Sequence, residues 1–281
     1  MPGLSDYQFQ APGAGPGGSG GGSRWPRGAL IIGIVAVVAA GGYVLYRRGG
    51  ISPAPTQPAA AAKAPAPERP LAEGAERYDL PPLEDSDEFV RQRLRPLSSH
   101  PLFVAWLRTN GLVRNFVVVV ENTARGLTPS KHLRVLKPAG TFRVVKRGNQ
   151  VLIDPRNYDR FSRIADLAAS IDPGAAAKIY GGFKPLLQTA YDELGNQEPI
   201  DRAMERAIVG LLQAPVVDGD VRVQMGGEGI GYQFSDAKLE ALTGAQKQLV
   251  RMGPRNMRVI QDRLRLFGLA LGIPAQRLSR F

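Results

Sequence analysis

Few side chains in this 281-residue chain are of the kinds that carry catalysis. It has no cysteine, and its only histidines are His100 and His132. Protein zinc sites draw on Cys and His at short spacings, and no HExxH pattern occurs, so neither a transition metal nor any other cofactor is expected. There is no Gly-x-Ser-x-Gly elbow to present a nucleophilic serine. His100 directly precedes Pro101 and reads as a helix cap or a surface residue. Two acidic pairs, Asp192/Glu193 and Asp218/Asp220, have the chemistry for glycoside cleavage, which needs carboxylates roughly 5 to 9.5 Å apart. Asp192 and Glu193 end a helical stretch, where two like charges are ordinarily solvated. The glycines Gly226, Gly227, Gly229 and Gly231 match neither the GxxxxGK[ST] nor the GxGxxG phosphate pattern. They lie between two strand-like pieces and read as a hairpin turn.

Charge is more informative than any of these motifs. Residues 108–163 carry 12 Lys/Arg and 3 Asp/Glu, residues 164–236 carry 5 and 11, and residues 237–281 carry 9 and 2. Two basic blocks enclose an acidic one. Such blocks attract an acidic partner or anionic headgroups, or they pair with one another. No nucleic-acid-binding fold is recognisable, so no nucleic acid is expected. The last block favours arginine, whose planar fork donates two parallel hydrogen bonds to a carboxylate or phosphate. Arg251, Arg255 and Arg258 fall largely off the apolar face formed by Val259, Leu264, Phe267 and Leu271. They are the expected contacts to an anionic partner.

The elements that must position these residues can be read from pattern. Ser86 and Asp87 are placed to cap a helix running through Leu97. A second helix, LFVAWLRT with Trp106 in it, opens at Pro101 and closes at Asn110 and Gly111. The run FVVVV at 116–120 suits a strand by propensity. However, Leu112, Phe116, Val119, Val120, Ala124 and Leu127 recur at helical spacing, so a buried helix ending at Gly126 is expected. TFRVVKRGNQVLID turns at Arg147, Gly148 and Asn149 and reads as a hairpin. A helix from Asp154/Pro155 to about Ala169 is expected next. Another starts at Asp172/Pro173, interrupted by Gly181, Gly182 and Pro185, and one more starts at Pro199. VRVQMGGEGIGYQF gives a second hairpin. Helices from Asp236, Thr243 and Pro254 finish the chain. The fold class is mainly α with two short β-hairpins, in one helical globular domain over 81–281.

The preceding residues read differently. Residues 1–27 are Gly-rich and lack the makings of a core, as a disordered tail would. Gly28 to Tyr46 is free of charge and long enough, at about 1.5 Å per residue, to cross a hydrocarbon core as one transmembrane helix. Trp25, Tyr43 and Tyr46 flank it where amphipathic rings favour the interface. Residues 47–80 form a Pro/Ala-rich linker, semi-rigid and extended. Arg24 and Arg27 before the span nearly balance Arg47, Arg48 and Lys63 after it, so the positive charges do not set the orientation. A lone first span ordinarily exports the long domain behind it, which places the C-terminal domain in the periplasm.

Three stretches carry a family likeness: HPLFVAWLRTNGLVRNFVVVVENTARG, IDPRNYDRFSRIADLAASID and LTGAQKQLVRMGPRNMRVIQDRLRLF. Through them the chain, over roughly residues 80–272, resembles a bacterial family of single-pass membrane proteins known as a domain of unknown function. The resemblance implies a span, a Pro/Ala linker and an envelope-facing domain, but no activity or site. The resulting expectation is a single-pass inner-membrane protein with a non-enzymatic binding or scaffold domain, whose partner is an envelope protein, the cell wall or anionic lipid. The competing reading is a tethered envelope hydrolase using carboxylates on cell wall or peptide.

Overall fold

The computed structural model describes residues 71–73, 75, 77–129, 133, 136–226 and 231–279. The expected tail, the span and the linker as far as residue 70 lie outside them, as do His132, Gly227 and Gly229. The described chain is mainly helical with two short antiparallel hairpins. Among the described residues, packing already includes Leu71. Leu71 is buried, and Ala72 donates its N–H to the Leu271 carbonyl at 2.8 Å.

Helix α1 (Ser86–Leu94) continues into a 3-10 turn (Arg95–Leu97). Its expected caps act elsewhere. The Ser86 hydroxyl is buried and donates to the Leu83 carbonyl at 2.8 Å. The Asp87 carboxylate accepts from the backbone N–H groups of Gly111 and Leu112 at 2.6 and 2.8 Å. Asp87 therefore caps a helix that starts 25 residues on, α3 (Leu112–Ala124), whose N-cap Gly111 has no side chain to offer. Between them α2 (Pro101–Leu107) is capped by His100, whose Nδ1 accepts from the Leu102 N–H at 3.3 Å. The valine run lies in α3, where Leu112, Val113, Val117 and Val120 are buried. Burial of one helical face outweighs the strand propensity of β-branched residues.

The hairpin of β1 (Val144–Arg147) and β2 (Gln150–Ile153) turns through two residues, with Gly148 at φ +55° supplying the positive dihedral that a tight turn needs. The second pairs β3 (Val223–Met225) with β4 (Tyr232–Phe234). A bridge between Leu152 and Arg222, and the Ile153 N–H donated to the Val221 carbonyl at 2.9 Å, fasten the two together.

Two helical expectations are corrected. The helix expected from Asp154 to Ala169 is split into α4 (Arg156–Asp159) and α5 (Ser162–Ser170), with buried Phe161 at the joint. Buried Asn157 fixes the short turn by bonding out of it. Its amide donates to the Arg143 carbonyl at 2.6 Å and its Oδ1 accepts from the Arg143 N–H at 2.8 Å. Conversely, α6 (Pro173–Asp192) is continuous through Gly181, Gly182 and Pro185. Gly181 serves close packing, because a Cβ there would collide with Ala72 and Ala75. The proline's cost, about 3 kcal/mol in a helix interior, is offset by burial of Phe183, Leu186, Leu187 and Tyr191 around it.

The rest of the chain is α7 (Ile200–Leu212), a single turn α8 (Ala237–Glu240), α9 (Gly244–Arg251), α10 (Pro254–Ala270) and a last 3-10 turn (Ala275–Leu278). Thr243 and Gln246 form a reciprocal capping box on α9. The core is α3 against α6 and α7, with α10 lying across α5, α6 and α7. Fully buried Gln261 of α10 donates to the carbonyls of Leu211 and Ala214 at 3.1 and 2.9 Å, closing the C-terminal end of α7. Trp106 is half-buried, stacked on Phe103 with ring centroids 5.8 Å apart. Among the described residues no single helix is long and apolar enough to cross a membrane. Helices α2 and α3 pass that test only as a pair, bent by 113°.

Candidate functional site: an apolar groove lined by three cations

Four elements that each bury one face leave a gap where they meet. Helix α3 contributes Val119 and Thr123, α5 contributes Ile164 with Phe161 just before it, α7 contributes Leu211, and α9 contributes Ala245, Gln248 and Leu249. Phe142, ahead of β1, and Tyr232 of β4 close one side, their ring centroids 5.6 Å apart. The result is a half-open groove of about 1070 Å³. This is at the upper limit of ordinary ligand pockets, roughly 300–1,000 Å³. Its lining explains why Val119, Ile164 and Met252, all on inward faces, are only half-buried. Each lines the groove with part of its surface.

Three cations, Lys137, Arg160 and Arg251, line the groove, and no Asp or Glu is among the described residues that line it. Arg160 donates from Nε to the Ala139 carbonyl at 2.8 Å and from Nη2 to the Gly140 carbonyl at 2.9 Å. Arg251 donates to the Tyr232 carbonyl at 3.1 Å and lies over the Phe234 ring, 5.0 Å from its centroid. These partners are neutral. Elsewhere Arg114, Arg147, Arg206 and Arg277 are each paired with a carboxylate. Among the described residues no carboxylate lies within ion-pair distance of the three groove cations. Burial pulls the Arg251 guanidinium below its usual range, and the field of Glu240 opposes that shift. Glu240 itself is committed to Lys247 at 2.6 Å and to the Phe234 N–H at 2.9 Å.

The arginines singled out in the sequence are not brought together here. Arg251 lines the groove. Arg255 is exposed on α10, and Arg258 pairs with Asp218 at 2.5 Å. Lys137 and Arg160 were hidden inside the first basic block. The signal for them was a basic run with few acids, interleaved with Phe142, Phe161 and Ile164.

The acidic pairs hold no shared site either. Glu193 takes a bidentate bond from Arg114, which holds its carboxyl below the usual range, and Asp192 accepts from Gln188 at 2.7 Å. Asp218 pairs with Arg258 and Asp220 with Arg147. Of the glycine run, Gly226 donates its N–H to the Gly231 carbonyl at 3.0 Å across the mouth of the second hairpin. Among the described residues no group of three His, Asp or Glu side chains is placed to hold a metal ion.

A second polar cluster is structural. The hydroxyl of fully buried Tyr191 lies 2.9 Å from Glu121 Oε2 and 3.1 Å from Glu198 Oε1, while Glu198 pairs with Arg206. It ties α3, α6 and the start of α7.

Fold and groove together define a mainly helical domain with a large apolar recess, cationic along part of its lining. The chain belongs to the family described as protein of unknown function DUF3014, whose model matches residues 112–267. That stretch runs from the first residue of α3 into α10 and holds every described groove residue. No curated protein and no solved structure matches the chain.

Proposed function

We propose that this protein is a non-enzymatic binding domain, held at the inner membrane by the span at 28–46 and kept away from it by the Pro/Ala linker, with the domain in the periplasm. The observation that carries the binding reading is the groove. An open apolar recess of about 1070 Å³ leaves much hydrocarbon surface in water, which a ligand would cover, and among the described residues the partners of its two arginines are neutral. The membrane-tethered reading rests on the sequence of residues 28–46 and their aromatic flanks.

The test is made in intact cells with a photo-cross-linking amino acid at Gln248, which lines the groove, and in parallel at Arg255, which does not. An adduct formed from Gln248 alone supports the reading. No adduct at Gln248 in repeated trials overturns it. A periplasm-specific reporter fused after Phe281 is expected to be active, and activity of a cytoplasm-only reporter there would overturn the topology.

A further inference from the structure

We propose that the ligand of this groove is a long-chain fatty acid, its chain lying along α3, α5 and α9 and its carboxylate at the side guarded by Arg160 and Arg251. This rests on the binding reading above and names its chemistry. The two guanidinium groups lie beside the aromatic pair that closes one side of the groove. Arg160 bonds the carbonyls of Ala139 and Gly140, just before Phe142, and Arg251 bonds the carbonyl of Tyr232. The Phe142 and Tyr232 rings touch, so the arginines flank a single aromatic pair. Exposed Lys137, two residues before Ala139, extends the same positive side. A half-buried cation with only neutral partners gains more from an anion than a solvated one does, because water screens it less.

The remainder of the lining selects for hydrocarbon over peptide. Every residue of an extended peptide brings a backbone donor and acceptor that must be satisfied once out of water. Apart from the cations, the described residues that line the groove offer few side chains to do so, chiefly Thr123, Thr128 and Gln248. An alkyl chain needs none. Each buried methylene strengthens binding about fourfold, so chain length is a direct readout of groove occupancy.

The full-length chain in lipid nanodiscs, titrated with carboxyl-labelled [1-13C] fatty acids of eight to fourteen carbons, tests this. Expected is saturable binding that tightens about fourfold per methylene, with a carboxyl resonance displaced from its free position. Dodecanol and dodecyltrimethylammonium should bind at least tenfold more weakly than dodecanoate. The double variant Arg160→Gln/Arg251→Gln should bring dodecanoate down to the level of dodecanol while leaving dodecanol unchanged, which also shows that the groove is still formed. Lys137→Gln, at an exposed position, should weaken dodecanoate two- to fivefold. Ile164→Trp should remove the saturable component altogether. Equal affinity for dodecanoate and dodecanol overturns the proposal, and so does the absence of any saturable component above that of Ile164→Trp. If the cross-link at Gln248 yields a protein adduct while no amphiphile binds, the fatty-acid assignment falls and the binding reading stands. If neither appears, both fall.

Discussion

Gly253 lies flat against the ring of Tyr158, so close that a Cβ on Gly253 would sit 2.6 Å from the tyrosine Cδ1. At φ +84° and ψ +159°, Gly253 also holds a backbone conformation open essentially to glycine alone. It joins α9 to α10, and Asn256 three residues on donates to the Tyr158 carbonyl at 2.7 Å. Gly253→Ala should therefore destabilise by about 2–4 kcal/mol, from strain and collision together. Gly210 is the control: it lies inside α7 with nothing within 4 Å of a would-be Cβ. Gly210→Ala should stabilise by about 0.5–1 kcal/mol. Urea unfolding midpoints should move in opposite directions for the two variants, and equal shifts would refute the assignment.

Asp87 is predicted to matter to α3 and not to its own helix. Asp87→Ala removes both acceptors from the Gly111 and Leu112 N–H groups and should cost about 1–2 kcal/mol. Backbone amide exchange should rise first at Gly111 and Leu112. If it rises only in α1, the capping assignment is wrong.

Asp201 fastens the strap that leads into the domain. Its carboxylate accepts from the Leu71 N–H at 2.9 Å, the Tyr180 hydroxyl at 2.7 Å and Lys184 Nζ at 2.9 Å, while Lys184 also donates to the Leu71 carbonyl. Asp201→Ala leaves these groups unpaired in a half-buried place and should destabilise by about 2–4 kcal/mol. Trypsin should then cut at exposed Arg77 at least tenfold faster than in the parent chain. An unchanged rate would show that the strap is held by its apolar contacts alone.

Acid and alkali should both destabilise the domain, for opposite reasons. The Arg206 partner holds Glu198 below its ordinary value, as Lys247 does Glu240 and Arg114 does Glu193. A carboxyl with a lowered folded pKa contributes stability that is present above its unfolded value, 4.5, and is lost as pH falls through the folded one. Tyr180 and Tyr191 are pushed up, first by burial and then by Asp201 for Tyr180 and by Glu121 and Glu198 for Tyr191. A hydroxyl that keeps its proton longer when folded loses stability as pH rises past its unfolded value of 10.0. Melting temperature should be nearly flat from pH 6 to 9 and fall below about pH 4.5 and above about pH 10. Tyrosine absorbance at 295 nm should show Tyr180 and Tyr191 ionising only as the fold is lost, and their titration in the folded chain would contradict the burial described here.

Much of the helical framework was legible because it is written in local signals. His100 before Pro101, Asp172 before Pro173, and Thr243 with Gln246 are caps whose partners lie within three residues. The helical spacing of Leu112, Phe116, Val119 and Val120 gave the helix but not its exact face: Val113 and Val117 are buried with Leu112 and Val120, whereas Phe116, Val119 and Ala124 are half-buried and Leu127, beyond the helix end, is exposed. The turn at Gly148 is likewise a property of adjacent residues. Where local reading failed, a distant residue had intervened. Asp87 is drawn off by a helix that starts 25 residues later. Gly181, a helix breaker by propensity, sits within a continuous helix because the strap at Ala72 and Ala75 approaches so closely there that only glycine fits.

The sequence by itself thus determined the element types, the charge blocks and the apolar faces, because each follows from spacing along one strand or helix. It marked Arg251 as a candidate anion contact but could not separate it from Arg255 and Arg258, since all three share one basic run. The groove belongs to the tertiary structure alone. Val119, Ile164, Leu211 and Leu249 come from four helices, and a gap between them arises from how far apart packed helices are held, which no single helix encodes. Which cations keep their charge unpaired was decided in the same way. Pairing depends on which carboxylates the fold brings near: it brings Asp218 to Arg258, whereas among the described residues the partners of Arg160 and Arg251 are neutral.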